Sequence, residues 1–323
     1  MPRPMSATAS ASSPRSTRSF DLMAKETRKK PDFSSSTGVA AVLEEAGYLA
    51  DEGLATAVQL ATALQKPLLL EGEPGVGKTE IARALSTALG RDLIRLQCYE
   101  GIDAAQALYE WNYAKQLLAV RAAGENADNR SLGVDDVFNE RFLVERPLLK
   151  ALRSGRGAVL LVDEVDRADA EFEAFLLEFL GDFQITVPEL GTIKAPHPPF
   201  VVLTSNRTRE LHDALKRRCL YHWIDFPEPA RERRILELKV PGLAEAAAAS
   251  LVDAVNGIRR LALLKKPGIA ESIEWARAGR VLVEGGNDWS TALRRALGLL
   301  VKDQDDLETV RNEAEPLLRA VNG

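Results

Sequence analysis

Between Leu68 and Thr79 the chain reads LLLEGEPGVGKT, a short apolar run that passes into a glycine-rich loop and then, without a break, into EIARALSTALG. An apolar run of this length bounded by turn residues is the pattern of a strand covered on both faces. The segment after the loop sets Ile81, Ala84, Leu85, Ala88 and Leu89 on one helical face and stops at Gly90. Strand, glycine loop and helix in that order restrict this part of the chain to a βα unit with the helix N-terminus beside the loop. Gly72 to Thr79 also fits the spacing G-x-x-x-x-G-K-[ST]. In that spacing the glycines let backbone N–H groups close around phosphates, Lys78 reaches the β- and γ-phosphates, and the Thr79 hydroxyl holds Mg²⁺. The helix directs its positive dipole end at the same anion. The expected ATP-binding set is therefore Gly72, Glu73, Pro74, Gly75, Val76, Gly77, Lys78, Thr79 and Glu80.

Further strands are predicted at Leu93 to Cys98, in AVLLVDE from Ala158 to Glu164, and in PFVVLTSN from Pro199 to Asn206. Between the last two, Phe172, Phe175, Leu176, Phe179 and Leu180 recur at helical spacing. QITVPELGTIK reads as a hairpin turning around Pro188 to Gly191. Buried strands alternating with helices predict an α/β fold with a parallel sheet covered on both faces. Val39 to Leu64 reads as helical, Tyr99 to Leu152 as mixed helix and loop, and from about Pro227 the pattern is helical throughout. The expected organisation is an N-terminal tail over 1–36, an α/β domain over 37–228 and a smaller all-helical domain over 229–323.

Composition narrows the setting. The 323 residues are 46% hydrophobic and 28% charged, as in an ordinary soluble globular protein. No apolar run approaches the roughly 20 residues that a membrane-spanning helix needs. Cys98 and Cys219 are the only cysteines and are far apart, which excludes a disulfide framework and points to a reducing cytoplasm. The first thirty residues hold seven Lys or Arg against Asp21 and Glu26, within a chain of net charge −5. That segment reads as a disordered tail, an organellar transit peptide, or sequence upstream of a true start at Met23.

Asp163 closes the apolar run of its strand, so its carboxylate emerges at the sheet edge where ligands bind in open α/β folds. It suits a Mg²⁺ partner for Thr79. The adjacent Glu164 points differently and suits a base acting on an attacking water. SNRTRELHDALKRRCLYHW, Ser205 to Trp223, gathers Arg207, Arg209, Lys216, Arg217 and Arg218 in an otherwise acidic chain. A metal site from His212, Cys219 and His222 lacks a fourth ligand nearby. Nucleic-acid binding is disfavoured by the acidic remainder and the absence of interleaved stacking aromatics. Asn206 ends a strand and can present its amide to a γ-phosphate or attacking water. Arg217 and Arg218 lie too far along for the same pocket and suit a finger reaching a neighbouring subunit's phosphate. Arg207 and Arg209 read as a solvated or inter-subunit face.

GEPGVGKT, LLVDE, TSN and ALKRRC, in this order, resemble the Walker A, Walker B, sensor 1 and arginine-finger elements of P-loop AAA+ ATPases. The wording from GDFQITVPELG to WIDFPEP is similar to the MoxR branch, and within it to the CoxD-like ATPases of carbon monoxide dehydrogenase maturation. The resemblance covers about residues 37 to 323. It implies an αβα sandwich followed by a helical lid, ATP and Mg²⁺, and a ring, usually hexameric. It also implies a partner with a von Willebrand factor A domain and a client metalloenzyme. That client is the molybdenum- and copper-containing carbon monoxide dehydrogenase or, as in relatives, a RuBisCO or nitric oxide reductase system. By position, the resemblance makes Asp163 the Mg²⁺ ligand, Glu164 the base and Asn206 sensor 1. Arg218 becomes the finger, with Arg217 as its alternative. The sequence departs from the family at sensor 2, where Ser272 stands in place of an arginine. Arg277, Arg280 and Arg294 are the candidate substitutes. Two rivals are a P-loop kinase acting on a small molecule and a nucleotide-gated scaffold without turnover.

Overall fold

In the computed structural model, described over residues 31–125, 134–188, 190–313 and 316, the apolar runs become the centre of one parallel sheet. Its strands are β1 (Leu68–Gly72), β2 (Leu93–Gln97), β3 (Val159–Asp163), β4 (Phe200–Ser205) and β5 (Leu220–Ile224). They lie in the order β2-β3-β4-β1-β5. Leu69 pairs with Leu203 on one side and Tyr221 on the other, and Leu161 pairs with Val202. Successive side chains point to opposite faces of a strand, so runs such as LLL and VLLV feed two cores at once. Leu69, Leu160, Val162 and Leu203 pack against Leu149, Leu176 and Phe179 on one face. Leu68, Leu70, Leu161 and Val202 pack against Leu54, Val58, Ile81 and Leu85 on the other. Each fully buried leucine contributes about 1.5–3 kcal/mol relative to exposure. The fold is α/β: an αβα sandwich with a parallel sheet, followed by a smaller helical part in the place of the expected lid.

The helical stretch expected between Val39 and Leu64 consists of two helices, Ser36–Glu45 and Glu52–Leu64. Gly47 adopts a φ of 81°, and Asp51 caps the second helix by accepting from the Leu54 N–H at 2.7 Å. A glycine in the left-handed region ends a helix at low cost. The hairpin stands where QITVPELGTIK placed it, with Gln184–Val187 antiparallel to Gly191–Lys194. The mixed segment contains the helices Ala104–Leu108, Tyr113–Glu125 and Pro147–Leu152 beside a short antiparallel pair, Tyr109–Trp111 with Leu143–Glu145. The basic segment 1–30 lies outside the described residues.

Beyond Pro227 every described element is a helix. Leu236, Leu251, Val255, Trp275, Leu293 and Leu297 form a third core there. At its edge Arg259 and Glu232, both buried, form a two-point ion pair with N···O distances of 2.6 and 2.9 Å. Replacing Arg259 with alanine leaves Glu232 buried and unpaired. Urea unfolding is expected to report a loss of about 3–5 kcal/mol for Arg259→Ala.

Candidate functional site

The site is built where β1 ends. At Gly72 any Cβ would come within 2.3 Å of the Ile224 carbonyl oxygen of β5, so only glycine fits there. Gly75 and Gly77 adopt φ values of 79° and 96°, and Gly77 caps the helix Lys78–Leu89 without a side-chain hydrogen bond. The first-turn N–H groups of that helix therefore remain available to an anion. Lys78 is buried, and its Nζ donates to the carbonyls of Gly72 at 2.7 Å and Glu73 at 2.8 Å. Burial lowers the pKa of its ammonium, while the carboxylates of Asp166, Glu73, Asp163 and Glu164 oppose that shift.

Parallel pairing of β3 with β4 sets the acids beside the loop. The Thr79 hydroxyl donates to Asp163 Oδ1 at 3.0 Å, and the Thr204 hydroxyl donates to the same oxygen at 2.5 Å. Arg95, across the β2–β3 pairing, donates its Nε to Asp163 Oδ2 at 3.0 Å. Glu164 leaves the strand with a φ of 55°, which turns its side chain away from that of Asp163. Its N–H donates to Thr204 Oγ1 at 2.9 Å. Its carboxylate accepts from Asn206 Nδ2 at 3.4 Å and from Gln97 Nε2 at 3.1 Å, and it lies 3.1 Å from Arg167 Nε. The Asn206 N–H, the Thr208 N–H and the Thr208 hydroxyl all donate to one oxygen of the buried Asp166. Asp166 thereby fixes the turn that presents Asn206 to Glu164. The hard oxygen donors Thr79 and Asp163 form the kind of pair that holds Mg²⁺ while the ion keeps most of its water.

Beside the loop lies a cavity of about 300 Å³. Its apolar wall includes Tyr48, Val76, Ile224, Leu238, Ile269 and Ile273, with Arg277 at its side. Apolar walls with few polar groups suit a flat heteroaromatic ring. Ser272 does not face this cavity: it is buried, and its one hydroxyl proton lies between Glu232 at 3.1 Å and the Gly268 carbonyl at 3.0 Å, either of which can accept it. Among the three arginines considered in its place, Arg277 alone lines the cavity, whereas Arg280 pairs with Glu284 and Arg294 donates to Ser290.

Arg217 and Arg218 end the short helix Asp213–Arg218, are exposed, and do not line the cavity. Arg218 instead donates to the carbonyl of Leu177. Arg209 is partly exposed but anchored. It pairs with the fully buried Glu173 and donates to the Ala168 carbonyl, and Glu173 also accepts from the His212 N–H at 2.9 Å. Arg207, with a φ of 57°, holds its guanidinium 5.7 Å from the Trp223 ring and 4.0 Å from Glu71. The candidate metal ligands are not brought together. His212 is exposed, Cys219 is buried in one face of the sheet, and His222 lies against Gly53 and Asp51 on the other.

Sequence reasoning missed Gln97, Arg95, Thr204, Asp166 and the cavity wall. The polar ends of strands β2 and β4 were the available signal, but strand order decides which carboxylates they meet.

With this geometry in place, residues 67–219 match the AAA domain (dynein-related subfamily), a span just under half the chain. The matched span lies within the α/β core. Protein NorQ of Paracoccus denitrificans is 27% identical over 221 residues, which cover 66% of this chain and 72% of NorQ. An uncharacterized protein of Staphylococcus haemolyticus is 26% identical over 183 residues, covering 54% of this chain and 62% of that protein. A RuvB variant of Thermotoga maritima aligns with a TM-score of 0.48 at 17% identity, over 85% of this chain and 75% of its own.

Two outcomes are expected. Thr204→Val keeps the shape but removes the donor to Asp163 and the acceptor for Glu164, and should lower Mg-ATP turnover by about 10-fold or more. Burial pushes the Cys98 and Cys219 thiols up to about 12, so a thiol reagent at pH 8 should find no fast-reacting cysteine until the protein is unfolded.

Proposed function

We propose that the chain is a Mg²⁺-dependent ATPase of the MoxR type that converts ATP to ADP and phosphate in a ring and uses the cycle to mature a client metalloenzyme. The carrying observation is the constellation at the sheet edge, where Thr79 meets Asp163 and Asn206 meets Glu164 beside a glycine loop and a buried lysine. The similarity to NorQ and the AAA domain match support the same class. In this reading 1–36 is a tail, 37–228 the nucleotide-binding domain and 229–323 the lid.

Lys78 exchanges its two loop carbonyls for phosphate oxygens, which compensates an ammonium already withdrawn from water. Thr79 and Asp163 hold Mg²⁺, which neutralises phosphate charge as it develops. Glu164 takes a proton from the attacking water while Asn206 orients that water or the γ-phosphate. Gln97 and Arg167 hold the Glu164 carboxylate until a bound nucleotide offers it the water. Arg218, released from the Leu177 carbonyl, serves a neighbouring subunit's ATP, with Arg217 as its alternative. The adenine occupies the cavity between Tyr48 and Ile273. The proposed client is the molybdenum- and copper-containing carbon monoxide dehydrogenase, or another client of the RuBisCO or nitric oxide reductase type. A von Willebrand factor A protein is the adaptor and the cytoplasm the setting. Among the described residues no helix is long and apolar enough to cross a membrane.

Phosphate release from Mg-ATP without an added acceptor tests the class and separates it from a kinase. Lys78→Ala is expected to abolish nucleotide binding. Glu164→Gln should bind ATP normally and lose turnover by about 10²–10⁴-fold, the range for a general base. Normal turnover in Glu164→Gln removes it as the base. Mixing inactive Arg218→Ala with inactive Glu164→Gln subunits should restore activity, and zero activity at every ratio rejects a finger acting in trans.

A further inference from the structure

The lid touches the phosphate loop through backbone. The Ala270 N–H, in the first turn of the helix Ile269–Glu284, donates to the Gly75 carbonyl at 3.1 Å. Glycine faces glycine at this contact. A Cβ on Gly268 would lie 2.8 Å from Gly75 Cα and from the Pro74 carbonyl oxygen, and a Cβ on Gly75 would lie 3.2 Å from Gly268 Cα. A Cβ carbon does not approach backbone atoms to 2.8 Å, so one on Gly268 would push the lid off the loop.

The lid side of this contact is unusually fixed. Glu271 accepts from the Gly268 N–H at 3.0 Å and so ties the helix's first turn back onto the residue before it. Directly behind, buried Arg259 donates its Nε to the Pro267 carbonyl at 2.8 Å. The Ser272 hydroxyl donates to Glu232 at 3.1 Å, and Glu232 in turn holds Arg259. Turn 267–272 is therefore tied to the helices Pro229–Lys239 and Glu245–Arg259 by groups that have no water to exchange with. The same helix carries Ile269, Ile273 and Arg277 into the cavity wall.

We propose that Gly268 is a positioning residue for the nucleotide site: its turn, locked by Arg259, Glu232 and Ser272, braces the phosphate loop at Gly75 and sets the loop's affinity for ATP. This rests on the nucleotide-binding reading above and adds a role to lid residues that have no contact with the cavity. In this chain Ser272 supplies no cation at that point. It belongs to the lock instead, and the lid meets Gly75 through the Ala270 backbone hydrogen bond, the Gly268 backbone and the Glu271 carboxylate.

The test is Gly268→Ala. The φ of −81° at this position is open to any residue, so the methyl acts through the clash and not through backbone strain. The full-length variant, its fold checked by circular dichroism, should bind a fluorescent ATP analogue about 10-fold more weakly, equivalent to about 1.4 kcal/mol. Its KM for Mg-ATP should rise in parallel while kcat at saturation stays within about 2-fold, because the contact lies away from Glu164 and is uniform in ground and transition states. Glu271→Ala, which frees the Gly268 N–H without adding bulk, should weaken binding by a smaller factor and decides the matter if Gly268→Ala does not fold. Gly298→Ala, whose methyl would meet no atom within 4 Å, should bind as the wild type does.

Wild-type binding with unchanged or tighter affinity in Gly268→Ala and Glu271→Ala overturns this inference alone. So does a fall in kcat at unchanged KM. Failure of the wild-type protein to bind Mg-ATP or its analogue overturns the nucleotide reading and this inference with it.

Discussion

The hydroxyl of Thr204 donates to Asp163 and accepts from the backbone of Glu164, and much of the site depends on that one oxygen. Asp163 is almost fully buried, and a buried carboxylate is stable only when hydrogen-bonded or paired. Thr79, Thr204 and Arg95 provide those partners. Each comes from a different element: the phosphate-loop helix, β4 and β2. The carboxylate that suits Mg²⁺ is therefore also the point where three neighbouring elements are tied together. The left-handed turn at Glu164 follows from the same bond, because the Thr204 hydroxyl holds the Glu164 N–H at the strand end. Asp163 and Glu164, adjacent in sequence, thereby face different partners.

The parts of this arrangement visible in sequence were those with short-range signatures. The runs LLL, VLLV and VVL are buried on both faces of the sheet, as uninterrupted apolar stretches require. Gly75 and Gly77 adopt the positive φ angles that a phosphate loop needs. Gln97 and Arg95 carry no such signature. Their relation to Asp163 and Glu164 exists only because β2 lies beside β3, across more than sixty residues of chain. The break at Gly47 was missed because helix propensity on both sides is strong and the capping Asp51 is a single residue. The anchoring of Arg209 was not legible for a related reason. Its partner Glu173 sits within a helix whose apolar spacing is otherwise regular, and a buried acid in such a face has no sequence-level mark.

The loop from Asn206 to His212 is held at both ends by buried acids. Asp166 takes three donors from its first half, and Glu173 takes Arg209 and the His212 N–H from its second. Hydrogen bonds to charged groups are worth about 1.5–3 kcal/mol each, so the loop is a strut rather than a tether. One end of it presents Asn206 to Glu164, and the other starts the helix that carries Arg217 and Arg218. The strut thus fixes the position of Asn206 relative to the helix that carries Arg217 and Arg218.

The lid is joined to the core by contacts of two kinds, and their energies separate holding from sensing. Its first helix pairs Arg231 with Asp51, Arg234 with Glu44 and Lys239 with Glu80. All three pairs are partly open to solvent, and such pairs contribute about 0–1 kcal/mol each. They orient the lid yet break and re-form at little cost. The contact between Gly268 and Gly75 is different in character, because packed backbone does not deform gradually. The lid is thus held to the core by weak ion pairs around one stiff contact, which fixes the register in which it meets the phosphate loop. A nucleotide that fills the cavity between Tyr48 and Ile273 displaces none of the buried lock behind Gly268. Of the contacts that join the lid to the core, only the partly exposed pairs are cheap to break.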